Sequence, residues 1–329
     1  MAAKPKITFS TNPNARNKAL IDGSVQLDGY DFEYVGDKYS PGEMHYRFVQ
    51  GEFDIAEMST ATLMRAKEKG KRFLALPVFF QRGPRQRNIF YCEGKLKHPS
   101  DLKGKQIGAF RYGATAVSWA RGYLLDEHGI KTTDVGWFVS GQEVYIANEL
   151  PVKVERLDPP PPFGQEKSHL SRLLSEGKLG AALVAGDSGY TGLFGGGSLP
   201  RAMGQFPGVK PLFEDTEEIL RYVKRTQIYP IIHIMAMREE SAEKYPDLPA
   251  KLIEAFREAN RKAVNYMKAA EAEGYAKERD VLGYDPYACV LTEADKKSIQ
   301  ALNRYQIEQG LVKKELALES LFVKEAFRM

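Results

Sequence analysis

The sequence is poor in cysteine, and its two thiols, Cys92 and Cys289, have no spacing typical of a metal site. Such a pair indicates neither a disulfide framework nor a zinc site, and we expect each cysteine to be buried and reduced. Long apolar runs are also missing. No segment approaches the roughly 18 to 20 continuous apolar residues that span a bilayer, so we expect no membrane association.

Charge of one sign is not concentrated anywhere in the chain. The 47 basic and 43 acidic residues leave a net charge of +4, with no run of five or six like charges and no basic arm. Nucleic acid is therefore not an expected partner, whereas the mild basic excess suits a small anionic ligand. The first residues, "MAAKPKITFS", also lack the apolar core and cleavage site of a secretory signal, which predicts a cytoplasmic protein.

The chain does contain a regular alternation of strand and helix patterns. Its 329 residues, 43% of them hydrophobic, suffice for two domains with real cores. Short apolar strands alternate with amphipathic helices along the first 90 residues, and the alternation restarts after residue 98. This order predicts an α/β fold with mostly parallel sheets. Two segments are predicted to be loops: 158–166, with four consecutive prolines, and the glycine-dense 186–208.

The two halves of the chain resemble each other. Residues 7–58 and 106–184 show a similar order of strands and helices, which predicts two similar α/β lobes with a ligand cleft between them. We expect the helical C-terminus to return to the first lobe. The division is then 1–95 with 235–329 for the first lobe and 96–234 for the second, with crossings at 91–106 and 227–237.

Polar groups end the buried strand of "GEFDIAEMST", residues 51–60. A carboxylate such as Glu57 is costly there unless it has a partner or a function, so it either acts on a ligand, orients His233, or forms an internal salt bridge. Ser59 falls at a helix start, where it either caps the helix or binds a ligand. His233 lies in the apolar strand "YPIIHIMAM" and is either an acid–base group or a buried structural histidine. The other histidines are predicted to be surface residues: His45, His98, His128 and His169.

Four arginines are predicted to follow strands and to face the cleft: Arg16, Arg82, Arg85 and Arg111. A guanidinium binds a carboxylate through two parallel hydrogen bonds, although each arginine could also be an ordinary surface residue. "RYGAT", residues 111–115, opens a helix, so Tyr112, Thr115 and free backbone N–H groups could hold a carboxylate. Trp119, one turn later, is either packing or a wall for an aromatic ring. No metal motif is visible.

The sequence resembles the 4,5-dihydroxyphthalate decarboxylase family, within the periplasmic-binding-protein-like fold that has two interlobe crossings. The resemblance covers nearly the whole chain, and the combination of "AEMS", "RGPRQR" and "YPIIH" is its most specific part. Weaker matches lie in "DLKGK", in Arg16 with Gly23, and in Trp119, Arg121 and Gly122. The sequence departs from the family at Gly180, where an aspartate is usual, and in "VAGDSG", which lacks an arginine.

The resemblance implies decarboxylation of a hydroxylated aromatic acid, 4,5-dihydroxyphthalate to protocatechuate and CO₂, in aromatic catabolism. That reaction needs a proton donor at the ring, a group that polarises the phenol, and cations for a retained carboxylate. No cofactor is needed, because the hydroxylated ring can accept the proton itself. The alternatives are a binding protein for a small aromatic or other carboxylate, and another small-molecule enzyme on this scaffold. A homodimer through the C-terminal helices is a further expectation.

Overall fold

A computed structural model describes residues 3–146, 148–163, 165–186 and 202–328. The described residues form eleven strands and eleven α-helices. The strands are β1 (Lys6–Ser10), β2 (Asp31–Tyr34), β3 (Ile55–Ser59), β4 (Phe73–Arg82), β5 (Ile89–Cys92), β6 (Gln106–Ala109), β7 (Gly136–Val139), β8 (Val154–Arg156), β9 (Ala181–Leu183), β10 (Val209–Pro211) and β11 (Ile231–Arg238). The helices are α1 (Lys18–Ile21), α2 (Pro41–Val49), α3 (Thr60–Glu68), α4 (Thr115–His128), α5 (Glu166–Ser175), α6 (Thr216–Thr226), α7 (Glu239–Lys244), α8 (Leu248–Arg261), α9 (Ala269–Leu282), α10 (Glu293–Glu308) and α11 (Leu318–Leu321).

The strands form two sheets, and each contains one strand that runs antiparallel to both of its neighbours. The first has the order β2-β1-β3-β11-β4, and β11 pairs antiparallel with both of its neighbours. The second has the order β10-β5-β9-β6-β7-β8, in which β5 pairs antiparallel with β10 and β9. The remaining pairings are parallel. The predicted α/β fold with mostly parallel sheets is therefore confirmed.

The antiparallel strand of each sheet is the one that arrives from the other sheet. The chain leaves the first sheet after Arg82 and enters the second at Ile89, earlier than the crossing predicted at 91–106. Strand β5, which the predicted division assigned to the first lobe, thus pairs in the second sheet. The return crossing follows α6, which is capped by Gln227 in a left-handed backbone conformation (φ 56°). The chain then enters the first sheet at Ile231, the first residue of β11.

Most predicted elements have the expected type. Helix α2 starts at Pro41 and is followed by Gly51 at φ 89°, and α4 ends at Gly129 at φ 61°, a conformation that glycine adopts without strain. Three differences stand out. Strand β10 and helix α6 were not predicted, and residues 246–273, whose pattern in the sequence indicates a single helix, form α8 and the start of α9 with a break between them. The tetraproline 159–162 forms neither helix nor strand, whereas residues 187–201 of the predicted glycine-dense loop lie outside the described residues.

The C-terminal helices pack on the first sheet and also contact the second half of the molecule. Ile253, Phe256 and Leu302 belong to the same buried core as Phe9 and Ile55. Helix α10 also packs against α4: a Cβ atom on Gly122 would lie 2.4 Å from the ring of Tyr305. Among the described residues, no helix is long and apolar enough to cross a membrane. Both cysteines are unpaired, and Cys289 is buried, but Cys92 is partly exposed, contrary to expectation.

Candidate active site

A cavity of about 160 Å³ lies where the two sheets meet. Its wall includes residues that lie two positions after the ends of β1, β6 and β9, namely Asn12, Arg111 and Ala185, together with Ser59 at the end of β3. These are carboxyl ends of parallel strands, the usual location of ligand sites in α/β proteins. A cavity of about 150 Å³ is known to hold one benzene ring, so this one suits a small cyclic ligand.

His233 and Glu57 form a hydrogen-bonded pair at this cavity. The Nδ1 atom of His233 lies 2.6 Å from Oε1 of Glu57, and the His233 side chain, 12% exposed, lines the cavity. Glu57 is 1% exposed and lies behind the histidine. It also accepts hydrogen bonds from Thr11 Oγ1 (2.8 Å) and from the backbone N–H (2.9 Å) and side-chain amide (3.2 Å) of Asn12. Burial alone would raise the pKa of Glu57, but the bonds from His233, Asn12 and Thr11 hold it below its ordinary value.

The pairing of β11 explains how a histidine in an apolar strand reaches the cavity. Because β11 runs antiparallel to β3, its early residue His233 lies opposite Ser59, the last residue of β3. On the other side His233 pairs with Gln81, and the register between β11 and β4 shifts on both sides of that pair. Such bulges re-aim side chains and are common beside active sites. Ser59 and Gln81 both line the cavity with His233.

Ser59 and Thr115 link the two halves of the wall. Their hydroxyl oxygens lie 2.7 Å apart, Ser59 Oγ accepts from the backbone N–H of Thr62 (3.4 Å), and Thr115 Oγ1 accepts from the backbone N–H of Ala61 (3.0 Å). Ser59 therefore caps α3 and also lines the cavity, so the capping alternative is observed and ligand binding by Ser59 stays a prediction. Two hydroxyl groups carry two hydrogens and share one bond between them, so one O–H remains as a donor at this point of the wall.

Arg85 is a buried cation in the wall without a carboxylate partner among the described residues. Its guanidinium makes a long hydrogen bond from Nη1 to Asn88 Oδ1 at 3.4 Å, and its Nε has no partner in the described part of the chain. Burial lowers the pKa of Arg85 to about 10, against the opposing effect of Tyr229 and Tyr287. A buried charge of this kind is costly unless an anion binds to it.

Arg65 is a second buried cation in the wall, and it was not predicted from the sequence. It donates to neutral acceptors, the carbonyl oxygen of Tyr145 (2.9 Å), the side-chain oxygen of Gln306 (3.1 Å) and Thr62 Oγ1 (2.9 Å). Burial lowers its pKa to about 10, although Glu143 raises it. The alternation of apolar and basic residues in α3 did not reveal that Arg65 faces inward, because its acceptors come from distant parts of the chain.

Arg111 lines the cavity as predicted, but it already has a carboxylate partner. Its Nη2 forms an ion pair with Glu166, the first residue of α5, and its guanidinium lies over the ring of Phe163 at 4.7 Å. Glu166 also lines the cavity. The arginine is therefore held in place and partly neutralised by the protein itself.

The turn before α4, predicted to hold a substrate carboxylate, holds Glu143 instead. Its carboxylate accepts from the backbone N–H groups of Tyr112 (2.5 Å) and Gly113 (3.1 Å). Glu143 follows β7 and lines the cavity. These two N–H groups are thus occupied by a carboxylate of the chain itself and are not free for a substrate carboxylate, which the sequence predicted them to hold. The described lining residues include the cations Arg65, Arg85, Arg111 and Lys167 and the carboxylates Glu143 and Glu166, and neither Arg65 nor Arg85 has an ion pair with a described carboxylate.

Four of the predicted binding residues do not line the cavity. Arg82 is buried and bound to Asp295 Oδ1 at 2.6 Å, and Arg16 packs against the ring of Tyr287 with its Cζ 3.7 Å from the centroid. Tyr112 is buried against Arg121, whose Cζ lies 4.0 Å from the ring. Trp119 packs in the core and donates to the carbonyl of Ile231 at 3.2 Å, which corresponds to its packing alternative.

His45 was predicted to lie on the surface, and that prediction is wrong. It is 4% exposed, lines the cavity and meets His233 edge-on, with ring centroids 4.9 Å apart and an interplanar angle of 89°. His98 is exposed as predicted, whereas His128 and His169 are half-buried. In the part of the chain that the structure describes, no group of three His, Cys, Asp or Glu side chains is arranged to hold a metal ion.

A protein named 4,5-dihydroxyphthalate decarboxylase, from Comamonas testosteroni, is 30% identical to this chain over 283 residues, which are 82% of this chain and 79% of that protein. The chain belongs to the 4,5-dihydroxyphthalate decarboxylase family. A second protein of that name, from Pseudomonas putida, is 31% identical over 188 residues, 55% of this chain and 70% of that protein. A scan against family models gives no match.

Solved structures show the same fold. The periplasmic aliphatic sulphonate binding protein SsuA from Escherichia coli is similar with a TM-score of 0.58 and 14% identity, over 97% of this chain and 92% of that one. At this identity the likeness shows the fold alone, which is periplasmic-binding-protein-like as the resemblance implied.

The segments that carry the resemblance to the decarboxylase family converge on the cavity. "AEMS" contributes Glu57 and Ser59, "RGPRQR" contributes Arg85, and "YPIIH" contributes His233. The departure at Gly180 lies elsewhere, just before β9, where a Cβ atom would lie 2.7 Å from Cδ of Lys105. Gly180 does not line the cavity, so this difference from the family does not alter the cavity wall.

Proposed function

We propose that this protein decarboxylates a hydroxylated aromatic dicarboxylic acid, 4,5-dihydroxyphthalate, to protocatechuate and CO₂ without a cofactor. The observation that carries the proposal is the Glu57–His233 pair facing a ring-sized cavity that also contains Arg85. An acid–base group and a buried cation beside one small cavity are what this reaction needs, and the names of the relatives point the same way.

The two carboxylates of the substrate bind to cations of the wall. Arg85 and Arg65 form no ion pair with a described carboxylate, so each can take up a substrate carboxylate at little cost. Arg111 already has Glu166 as its partner. The O–H left over by the Ser59–Thr115 pair adds a neutral donor for a carboxylate or ring oxygen. A dianion thus supplies one carboxylate for each of Arg85 and Arg65.

His233 delivers the proton to the ring carbon that carries the departing carboxylate. Since Nδ1 is bound to Glu57, Nε2 is the nitrogen that exchanges its proton with the ligand. Glu57 fixes the orientation of the ring and stabilises the protonated imidazole, as a buried carboxylate does behind a catalytic histidine. The apolar part of the wall, including Phe110 and Ile232, limits water around the departing carboxylate, which favours the less concentrated charge of the transition state.

Two other functions remain to be separated from this one. A binding protein for an aromatic or other small carboxylate fits the fold shared with SsuA, because the same fold serves capture without chemistry. Another small-molecule enzyme on the scaffold would use the same cavity for a different reaction. Neither requires His233 to exchange a proton with 4,5-dihydroxyphthalate.

The deciding experiment is incubation of the purified protein with 4,5-dihydroxyphthalate and no added metal, with protocatechuate and CO₂ measured over time. We expect turnover, and we expect His233→Ala to abolish it while still binding the compound. Binding of the compound by the wild-type protein, seen as thermal stabilisation, without any CO₂ would favour the binding protein. Absence of both binding and turnover would refute the proposal that 4,5-dihydroxyphthalate is the substrate.

A further inference from the structure

His45 is a buried imidazole in the cavity wall whose Nε2 has no hydrogen-bond partner among the described residues. It lies on α2, near Met44 and Phe48 of the core. Buried polar groups without partners are rare in folded proteins, and each one asks for an explanation. A ligand in the cavity would supply the missing partner.

The surroundings of His45 keep it uncharged. Burial, the edge-on His233 and the nearby Arg111 together hold the pKa of His45 well below its ordinary value of 6.5. His233, with Glu57 behind it, and Arg111, with its partner Glu166, act on His45 directly. The other charged groups that share the cavity wall with it are Arg65, Arg85, Glu143 and Lys167. A neutral imidazole has a lone pair that can accept a proton.

Decarboxylation of a hydroxylated ring needs two proton transfers at different atoms. One proton must reach the ring carbon that loses CO₂, and the ring becomes electron-rich there when the hydroxyl para to that carbon gives up its own proton. A single histidine placed at the ring carbon does not also reach a hydroxyl on the far side of a six-membered ring. Two imidazoles with centroids 4.9 Å apart can serve two different atoms of one ring.

We propose that His45 is a second proton-transfer residue, which accepts the proton of the ring hydroxyl para to the departing carboxylate. This inference rests on the proposed function. The O–H bond breaks, its electron pair stays on the oxygen, and its proton binds to His45. Electron density from the phenolate moves into the ring, and the para carbon takes a proton from His233. The C–C bond to the carboxylate then breaks, its electron pair restores the aromatic ring, and CO₂ leaves.

The cycle closes without an oxidant or reductant. His45 returns its proton to the phenolate oxygen, and His233 regains a proton from water. The net change is one proton taken up and one CO₂ released for each carboxylate lost. His45 and His233 thus have opposite starting states in the reaction, a neutral base and a proton donor.

The test compares wild type with His45→Phe, which keeps a ring of similar size but cannot accept a proton, and with His45→Gln. The matched control is His128→Phe. His128 is half-buried rather than fully buried and stacks on Phe213 at 5.0 Å, but burial lowers its pKa as it does for His45, its Nε2 likewise has no partner in the described part of the chain, and it lies outside the cavity wall. Thermal unfolding of each variant verifies that it folds. Turnover is measured with 4,5-dihydroxyphthalate and with a ring-fluorinated analogue whose hydroxyl is more acidic.

We expect both His45 variants to lower kcat roughly 10²- to 10⁴-fold with a much smaller change in KM, since a positioned acid–base group contributes about that much. The fluorinated analogue and a higher pH should recover at least part of the loss, because each supplies phenolate without a base. Full activity in His45→Phe, or a loss that neither the analogue nor pH recovers, would overturn the proposal for His45 alone. Absence of turnover in the wild-type protein would instead refute the proposed function, and this inference with it.

Discussion

Glu57 lies behind His233, with its Oε1 2.6 Å from the histidine Nδ1, and it does not itself line the cavity. The carboxylate is fixed by Thr11 and Asn12, which directly follow β1, so the neighbouring strands β1 and β3 determine the position of a histidine on β11. We therefore propose Glu57 as a positioning residue for His233. Of the alternatives weighed from the sequence, an internal pair is observed, and its partner is a histidine.

Glu57→Gln should reduce kcat for decarboxylation about 10²- to 10⁴-fold and change KM little, because the amide keeps the shape but not the charge behind His233. Steady-state kinetics with 4,5-dihydroxyphthalate checks this, with Asp54→Asn as the control. Asp54 also accepts hydrogen bonds between β1 and β3, from Thr8, but it lies outside the cavity wall. Equal losses of kcat in the two variants would mean that Glu57 acts through the sheet and not through His233.

The contribution of Glu57 to the stability of the protein should change with pH only below about pH 4.5. Its pKa is lower in the folded protein than the ordinary 4.5, so the unfolded chain takes up the proton first as the pH falls. Its contribution to the free energy of unfolding is therefore complete above about pH 4.5 and is lost toward the folded pKa. Urea unfolding of wild type and Glu57→Gln should give a difference that is constant near neutral pH and shrinks in acid. A difference that grows in acid contradicts the assignment.

Arg85→Met should weaken binding of phthalate, a diacid without hydroxyl groups, about 10- to 100-fold, because hydrogen bonds to a charged group contribute about 1.5 to 3 kcal/mol. Isothermal titration measures the affinity. Arg87→Met is the control, since Arg87 is two residues away, bonds to Thr216 and does not line the cavity. An equal loss in both variants would indicate a general electrostatic effect and not a carboxylate site at Arg85.

Arg82→Met should instead lower the free energy of unfolding by about 3 to 5 kcal/mol, because Asp295 would be left as a buried, unpaired carboxylate. Asp295→Asn combined with Arg82→Met should recover much of that loss, since the amide still accepts the N–H of Thr292, which it caps at the start of α10. Urea unfolding of the single and double variants gives the coupling. Additive losses would contradict the buried ion pair.

Local sequence patterns predicted the elements of the site but not the partners of its charged residues. Strand β3 with Glu57 and Ser59, and the apolar strand with His233, follow from periodicity and from polar groups at strand ends. Arg82 and Arg85 look alike in "RGPRQR". They differ because Asp295, 213 residues further along the chain, binds one of them, and no local pattern contains that information.

Some missed features did leave a signal in the sequence. His45 is four residues before the buried Val49, so it falls on the apolar face of α2, and the turn-by-turn spacing predicts that it points inward. Helix α6 has buried Ile219, Leu220 and Val223 and an Asp215 cap, a helix pattern that was overlooked. Glu143, in contrast, precedes no regular pattern, and its bond to the turn before α4 depends on how the second sheet brings two loops together.

The ion pair between Arg111 and Glu166 leads to a prediction of increased affinity. Glu166→Gln removes the carboxylate that neutralises Arg111, while Phe163 and Phe110, 4.7 and 5.4 Å from the guanidinium carbon, still hold the side chain. We expect phthalate to bind about 3- to 10-fold more tightly by isothermal titration, since one more charge in the wall is then open to the anion. The control is Glu176→Gln on the exposed end of the same helix, which pairs with Arg172 outside the cavity.

Tighter binding in Glu166→Gln alone would mean that the protein limits its own affinity for the diacid. Interactions that bind substrate and transition state equally lower KM without raising kcat. Because Glu166 neutralises Arg111, Arg111 adds little of this uniform binding, and the contacts at Arg85 and His233 contribute a larger share of the binding energy. We therefore expect kcat for 4,5-dihydroxyphthalate to stay the same or fall in Glu166→Gln while KM falls. Unchanged or weaker phthalate binding would show that Arg111 is held by its aromatic neighbours out of reach of the ligand, and that Arg85 and Arg65 receive the two carboxylates without it.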